Sequence, residues 1–75
     1  MEKNVISIIA HALEVPESEV TVDTEIGEID EWDSLHNVQI FKDLEEAFNI
    51  KITQDMMMDL EDVSDIISLI EDIAE

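Results

Sequence analysis

The sequence has no cysteine, one glycine, one proline and one tryptophan. Without cysteine there is no disulfide framework, no thiolate metal site and no thiol nucleophile of the chain's own. A function that needs a thiol must acquire one from outside. Positive charge is almost as scarce. Three lysines stand against 21 acidic residues, for a formal net charge of −18. Simple repulsion disfavours nucleic acid and anionic membrane as partners. Basic partners are favoured instead, with fast, salt-sensitive encounter. No apolar run approaches the roughly 20 residues needed to span a bilayer, so membrane insertion is not expected. Met1-Glu2-Lys3-Asn4 lacks the basic flank and apolar core of a signal peptide, which makes the cytoplasm the expected location.

What is present is short and apolar enough to fold. Seventy-five residues imply one domain, 1–75, with a small core. Such a chain has little room for a cleft with a positioned catalytic group. High net charge favours disorder, but 45% of the residues are apolar and they recur at helical spacing. Residues 2 to 13 form the first predicted helix. Val5, Ile8, Ile9, Ala12 and Leu13, with Ile6 alongside, make its apolar face. Asn4, Ser7, His11 and Glu14 run down the solvated side. His11 has no metal-binding partner at i+4 or i−4. Pro16 stops the helix from continuing.

Residues 14 to 32 form a long connection. Val15, Val20, Val22, Ile26 and Ile29 are too apolar for a free linker and are expected to pin it to the helices. Asp23, Glu25, Glu28, Asp30 and Glu31 raise the question of calcium. An EF-hand needs glycine at position 6. Counted from Asp23, Gly27 falls at position 5 and the register fails, so no metal site is predicted and the stretch reads as a solvated acidic loop. Trp32 is expected to cap the core where this loop meets the next helix.

The most informative stretch is Glu31-Trp32-Asp33-Ser34-Leu35-His36-Asn37-Val38. Asp33 is a good N-cap, so Ser34 opens a helix over 34–48. Its hydroxyl then lies beside backbone N–H groups with no partner in their own helix. A phosphate ester there would be favoured by roughly 0.3–1 kcal/mol at an exposed end. Val38, Ile40, Phe41, Leu44, Ala47 and Phe48 supply the expected buried side. Leu35, His36, Gln39, Lys42, Asp43 and Glu46 supply the exposed side. Asn49 ends the helix, and Ile50-Lys51-Ile52 makes a short apolar connection. Thr53 caps a short helix, 54–58, whose Met56-Met57-Met58 run suits irregular core space. Asp62 caps the last helix, 63 to about 74. Its apolar face is Val63, Ile66, Ile67, Ile70, Ile73 and Ala74. Ser64, Asp65, Ser68, Glu71 and Asp72 face outward. Three good helices, one short one and no useful strand predict an all-α, small four-helix bundle.

Asp33-Ser34-Leu35, followed by Val38, Ile40, Leu44-Glu45, Phe48 and Ile50-Lys51-Ile52, resembles the attachment motif of acyl carrier proteins. The resemblance covers nearly the whole chain, including its length, acidity and helix order. It implies the acyl-carrier bundle with its long first loop. It also implies that Ser34 carries 4′-phosphopantetheine from coenzyme A, placed there by a phosphopantetheinyl transferase. The thiol of that arm would hold an acyl or aminoacyl cargo as a thioester. Loading enzymes and downstream transferases with basic patches would be the partners, and the carrier would be a non-catalytic monomer. Docking would fall to Asp33, Leu35, His36, Gln39, Lys42 and Glu46. Val38, Leu44, Met56, Met57 and Ile67 are the candidates to line an acyl pocket. Two features depart from the housekeeping pattern of fatty-acid synthesis. Glu31-Trp32 stands where a small residue after glycine is expected, and His36, Gln39 and Lys42 stand where acidic or apolar residues are common. The first looks more like specialised carriers of aminoacyl, D-alanyl or polyketide type, and the second suggests a dedicated partner set.

Two other functions compete. Ser34, His36 and Asp33 are the residue types of a hydrolase triad. However, residues i and i+2 of a helix point to different sides, and no Gly-x-Ser-x-Gly elbow is present. An unmodified acidic module that binds a basic partner fits the charge but leaves the Asp-Ser-Leu junction unexplained.

Overall fold

The computed structural model describes residues 1–74. Four helices carry the chain: α1 (Glu2–Leu13), α2 (Ser34–Phe48), α3 (Gln54–Met58) and α4 (Val63–Ala74). A 3-10 turn at Glu17–Glu19 interrupts the long connection. Among the described residues the only β pairing is one isolated antiparallel bridge, Glu25 to Asp62. The all-α bundle and its helix boundaries therefore agree with the pattern of apolar residues.

Local features fix the helix ends. Val15 precedes Pro16, and the proline ring disfavours helical backbone at the residue before it. The chain turns one residue earlier, with Glu14 left-handed at φ 60°. The Val15 N–H then closes the end by donating to the Ala10 carbonyl at 3.0 Å. α2 ends the same way at Asn49, φ 54°, a residue type that tolerates this region. α3 is capped by Thr53, whose Oγ1 accepts from the Met56 N–H at 3.3 Å. α4 is capped by Asp62, whose Oδ1 accepts from the Asp65 N–H at 2.9 Å.

The core is a single cluster. Val5, Ile9, Ala10 and Leu13 of α1 meet Ile40, Phe41 and Leu44 of α2 and Val63, Ile66, Ile67 and Ile70 of α4. α1 is the central element and packs against both other long helices. Each fully buried aliphatic side chain contributes roughly 1.5–3 kcal/mol, so a few well-packed positions decide whether so small a bundle folds.

The long connection is strapped down rather than loose. Val20 and Trp32 are buried in the core, and Val15, Val22, Ile26 and Ile29 pack half-buried against it. Thr24 is buried too, and its Oγ1 accepts from the Thr21 N–H at 2.9 Å. The strap then feeds the start of α4. The Val63 N–H donates to the Thr24 carbonyl, the Ser64 N–H to the Val22 carbonyl, and the Ile26 N–H to the Glu61 carbonyl, each at 2.9 Å. The open N–H groups of a helix start are thus satisfied at α4 by the loop and by Asp62.

Three expected core positions are exposed. Val38 is 67% exposed, because it precedes the buried Ile40 by two positions, about 200° of helical rotation. Ala47 lines an open groove opposite Ser7 and Ile8 of α1. Ala74, in the last turn of α4, borders a surface depression with Met1, Glu71 and Asp72.

Candidate functional site

The site is built where the long connection becomes α2. Asp33 has extended backbone and caps the helix, its Oδ1 accepting from the His36 N–H at 2.9 Å. The same oxygen lies 2.8 Å from Nδ1 of the His36 ring. These two contacts, the backbone one first, hold the Asp33 carboxyl below the usual carboxylate range, and the Leu35 N–H adds a weaker pull. Asp33 therefore stays ionised across neutral pH.

Ser34 follows at the first helical position, exposed to solvent. Among the described residues its N–H has no hydrogen-bond partner, and the Leu35 N–H has only that loose approach to Asp33. The contrast with α4 is sharp. There the loop fills the helix start, whereas α2 presents an accessible hydroxyl beside open backbone donors. That donor set suits an anion esterified to the serine oxygen.

Beneath Ser34 the indole of Trp32 is only 4% exposed. Its Nε1–H donates to Asn37 Oδ1 at 2.8 Å, so the bond ties the end of the connection to the first turn of α2. Trp32 thus caps the core, as expected of it. A shallow depression lined by Ile26, Trp32, Asp33, Ser34 and Asn37 opens next to the serine.

The residues expected to dock partners share one outer stripe of α2. Asp33, Leu35, Gln39, Lys42 and Glu46 are exposed, and His36 is half-buried. Gln39 also donates from Nε2 to Asp43 Oδ1 at 2.7 Å. Val38 joins this stripe: Leu35 is 81% exposed, and Val38 is its i+3 neighbour. Two branched apolar side chains thus stand in water close to Ser34, although Val38 was expected on the buried side of α2. The other pocket candidates lie inward. Leu44 and Ile67 are buried, and Met56 and Met57 pack half-buried against the core. Met58, by contrast, is exposed.

Two functional details escape a reading by spacing alone. Asn37 carries the Trp32 bond. Glu45 is a latch as well as an acidic surface residue, its Oε2 accepting from the Ile52 N–H at 2.7 Å. The triad is not assembled: Asp33 engages the His36 ring, but among the described residues no hydrogen bond joins that ring to Ser34, and residues i and i+2 of a helix point to different sides. Among the described residues no cluster of metal-ligating side chains occurs, and no helix is long and apolar enough to cross a membrane.

Comparison with known proteins supplies the chemistry. Residues 3–70 match the family described as phosphopantetheine attachment site. The chain belongs to this family. Its prosthetic group is 4′-phosphopantetheine, and its members are generally carriers, not catalysts. Among solved structures, the holo acyl carrier protein of Geobacter metallireducens, determined by solution NMR, is similar with a TM-score of 0.86 and 24% identity. The match covers 96% of this chain and 83% of that one. This likeness shows that the bundle is the acyl-carrier fold. No curated protein matches the chain. Family membership counts against the unmodified acidic module, which has no use for an attachment serine.

Proposed function

We propose that Ser34 is the attachment residue of an acyl carrier protein. The observation that carries this reading is the exposed Ser34 hydroxyl at the first position of α2, beside an unpartnered backbone N–H, in a chain of the phosphopantetheine family. Loading would be done by a separate transferase. The serine oxygen attacks the phosphorus of coenzyme A that bears the pantetheine arm. The bond to 3′,5′-ADP breaks, and the serine proton leaves to a base of the transferase. When bound, the group supplies a thiol on a flexible arm, which can hold an acyl or aminoacyl cargo as a thioester.

The chain's own residues present that arm. Asp33 fixes the helix start, and Ser34 holds the ester where an anion is tolerated. Leu35, Val38, Gln39, Lys42 and Glu46 form the docking stripe, with His36 at its upper edge. The apolar pair fits a shallow hydrophobic contact on a partner. The first turn of α2 holds no acidic residue, and His36, Gln39 and Lys42 stand on the outer face of the helix, which supports a dedicated partner set and a specialised carrier. Leu44, Ile67, Met56 and Met57 are the inner wall against which a cargo chain could press.

Intact mass after incubation with coenzyme A and a broad-specificity phosphopantetheinyl transferase tests the assignment. A gain of one phosphopantetheine is expected on the native chain and none on Ser34→Ala, which should keep its helical circular dichroism. A folded native chain that gains nothing from several transferases would overturn it.

A further inference from the structure

The depression beside Ser34 is built of more than a helix start. Its walls come from the long connection (Ile26, Trp32) and from the first turn of α2 (Asp33, Ser34, Asn37). Asn37 is the informative member. An indole N–H only donates, so the Asn37 oxygen must face Trp32. That bond fixes the carboxamide and leaves its NH2, two donors, without a partner among the described residues. Ser34 and Asn37 are i and i+3 on α2, with Cβ atoms about 5–6 Å apart. A phosphate on the Ser34 oxygen therefore falls within reach of that NH2. Ile26, half-buried, lines the same depression and offers it an apolar surface.

We infer that this depression seats the root of the prosthetic arm, with the Asn37 NH2 donating to the phosphodiester and Ile26 packing against the adjacent dimethyl carbon. The inference rests on the attachment reading above and adds a direction to it. The arm leaves Ser34 toward the connection and leaves Leu35 and Val38 free for partners. Trp32 acts through Asn37 as a positioning residue, holding the amide so that its donors face the ligand. The alternative course, across the exposed Leu35 and Val38 side chains, would cover the two apolar residues a partner needs.

The test uses the holo protein, with loading verified first by mass, so that failure to load is separate from failure of this inference. In NMR spectra the Asn37 side-chain NH2 signals should move between apo and holo forms. The geminal methyl protons of the arm should show nuclear Overhauser contacts to Ile26. Asn37→Asp keeps an oxygen acceptor for Trp32 but replaces the donors with negative charge. In that variant the Trp32 indole N–H should stay protected while the contacts to Ile26 fall several-fold. Contacts to Leu35 and Val38 in place of Ile26 would overturn the inference. So would unmoved Asn37 signals, or contacts that persist undiminished in Asn37→Asp.

Discussion

At the scale of single residues, the site depends on two side chains that never touch a cargo. Asp33 is the first. Its carboxyl is held below the usual range by the His36 N–H and then by the His36 ring. A carboxyl lowered by folding stabilises the folded state above its unfolded pKa, and that contribution disappears as pH falls through the folded value. The start of α2 is therefore intact at neutral pH and frays in acid. The protection factor of the His36 amide, its exchange rate relative to an unstructured amide at the same pH, should fall with a midpoint below the ordinary carboxylate range, and in Asp33→Ala it should be low at every pH. Asn37 is the second. Asn37→Ala leaves a buried indole N–H without an acceptor, a loss of about 1–3 kcal/mol, to be read as a lower denaturation midpoint. Asn37→Asp should keep most of that stability, because the acceptor remains.

At the scale of elements, caps and latches decide where the helices lie. Glu45 holds the connection after α2 by accepting from the Ile52 N–H, and Ile52 is itself part of the core. Glu45→Ala should destabilise by roughly 1–2 kcal/mol and speed exchange of the Ile52 amide ahead of the amides in the middle of α2. An equal loss of protection throughout α2 would mean that Glu45 acts globally instead. Much of this scale is legible in the sequence. Asp33, Thr53 and Asp62 announce the three later helix starts, and the spacing of Val63, Ile66, Ile67 and Ile70 announces the face of α4. What hides is tertiary. Val38 looks like core by composition, yet its rotation about α2 turns it to water beside Leu35. The role of Asn37 depends on a tryptophan five residues earlier, reached across a change of backbone direction. Nor does local sequence disclose that carbonyls of Val22 and Thr24 fill the start of α4 while the start of α2 stays open. That difference in helix starts is what favours Ser34 as the attachment residue in the proposed reading.

At the scale of the whole molecule, charge works against the fold. The formal net charge of −18 sits on a body whose longest axis is 29 Å. Among the described residues the one basic side chain within 4 Å of a carboxylate is His36, whose ring contacts Asp33, and none of the three lysines is paired with a carboxylate. Self-repulsion of this kind destabilises a compact state. It is screened within about 10 Å at 0.1 M salt and about 30 Å at 0.01 M, so in dilute buffer nearly every carboxylate acts on every other. Raising sodium chloride from 10 to 200 mM should therefore raise Tm by several degrees, since about 1 kcal/mol shifts a domain of this size by roughly 4–8 °C. The same screening should slow capture by a basic transferase, because long-range steering weakens with salt. Stability and encounter rate thus respond to one variable in opposite directions. Melting followed by circular dichroism, beside the initial rate of phosphopantetheine transfer, measures both in the same salt series. A Tm that stays flat while the rate falls would place the repulsion in the unfolded chain as much as in the fold, and would leave charge a role in encounter alone.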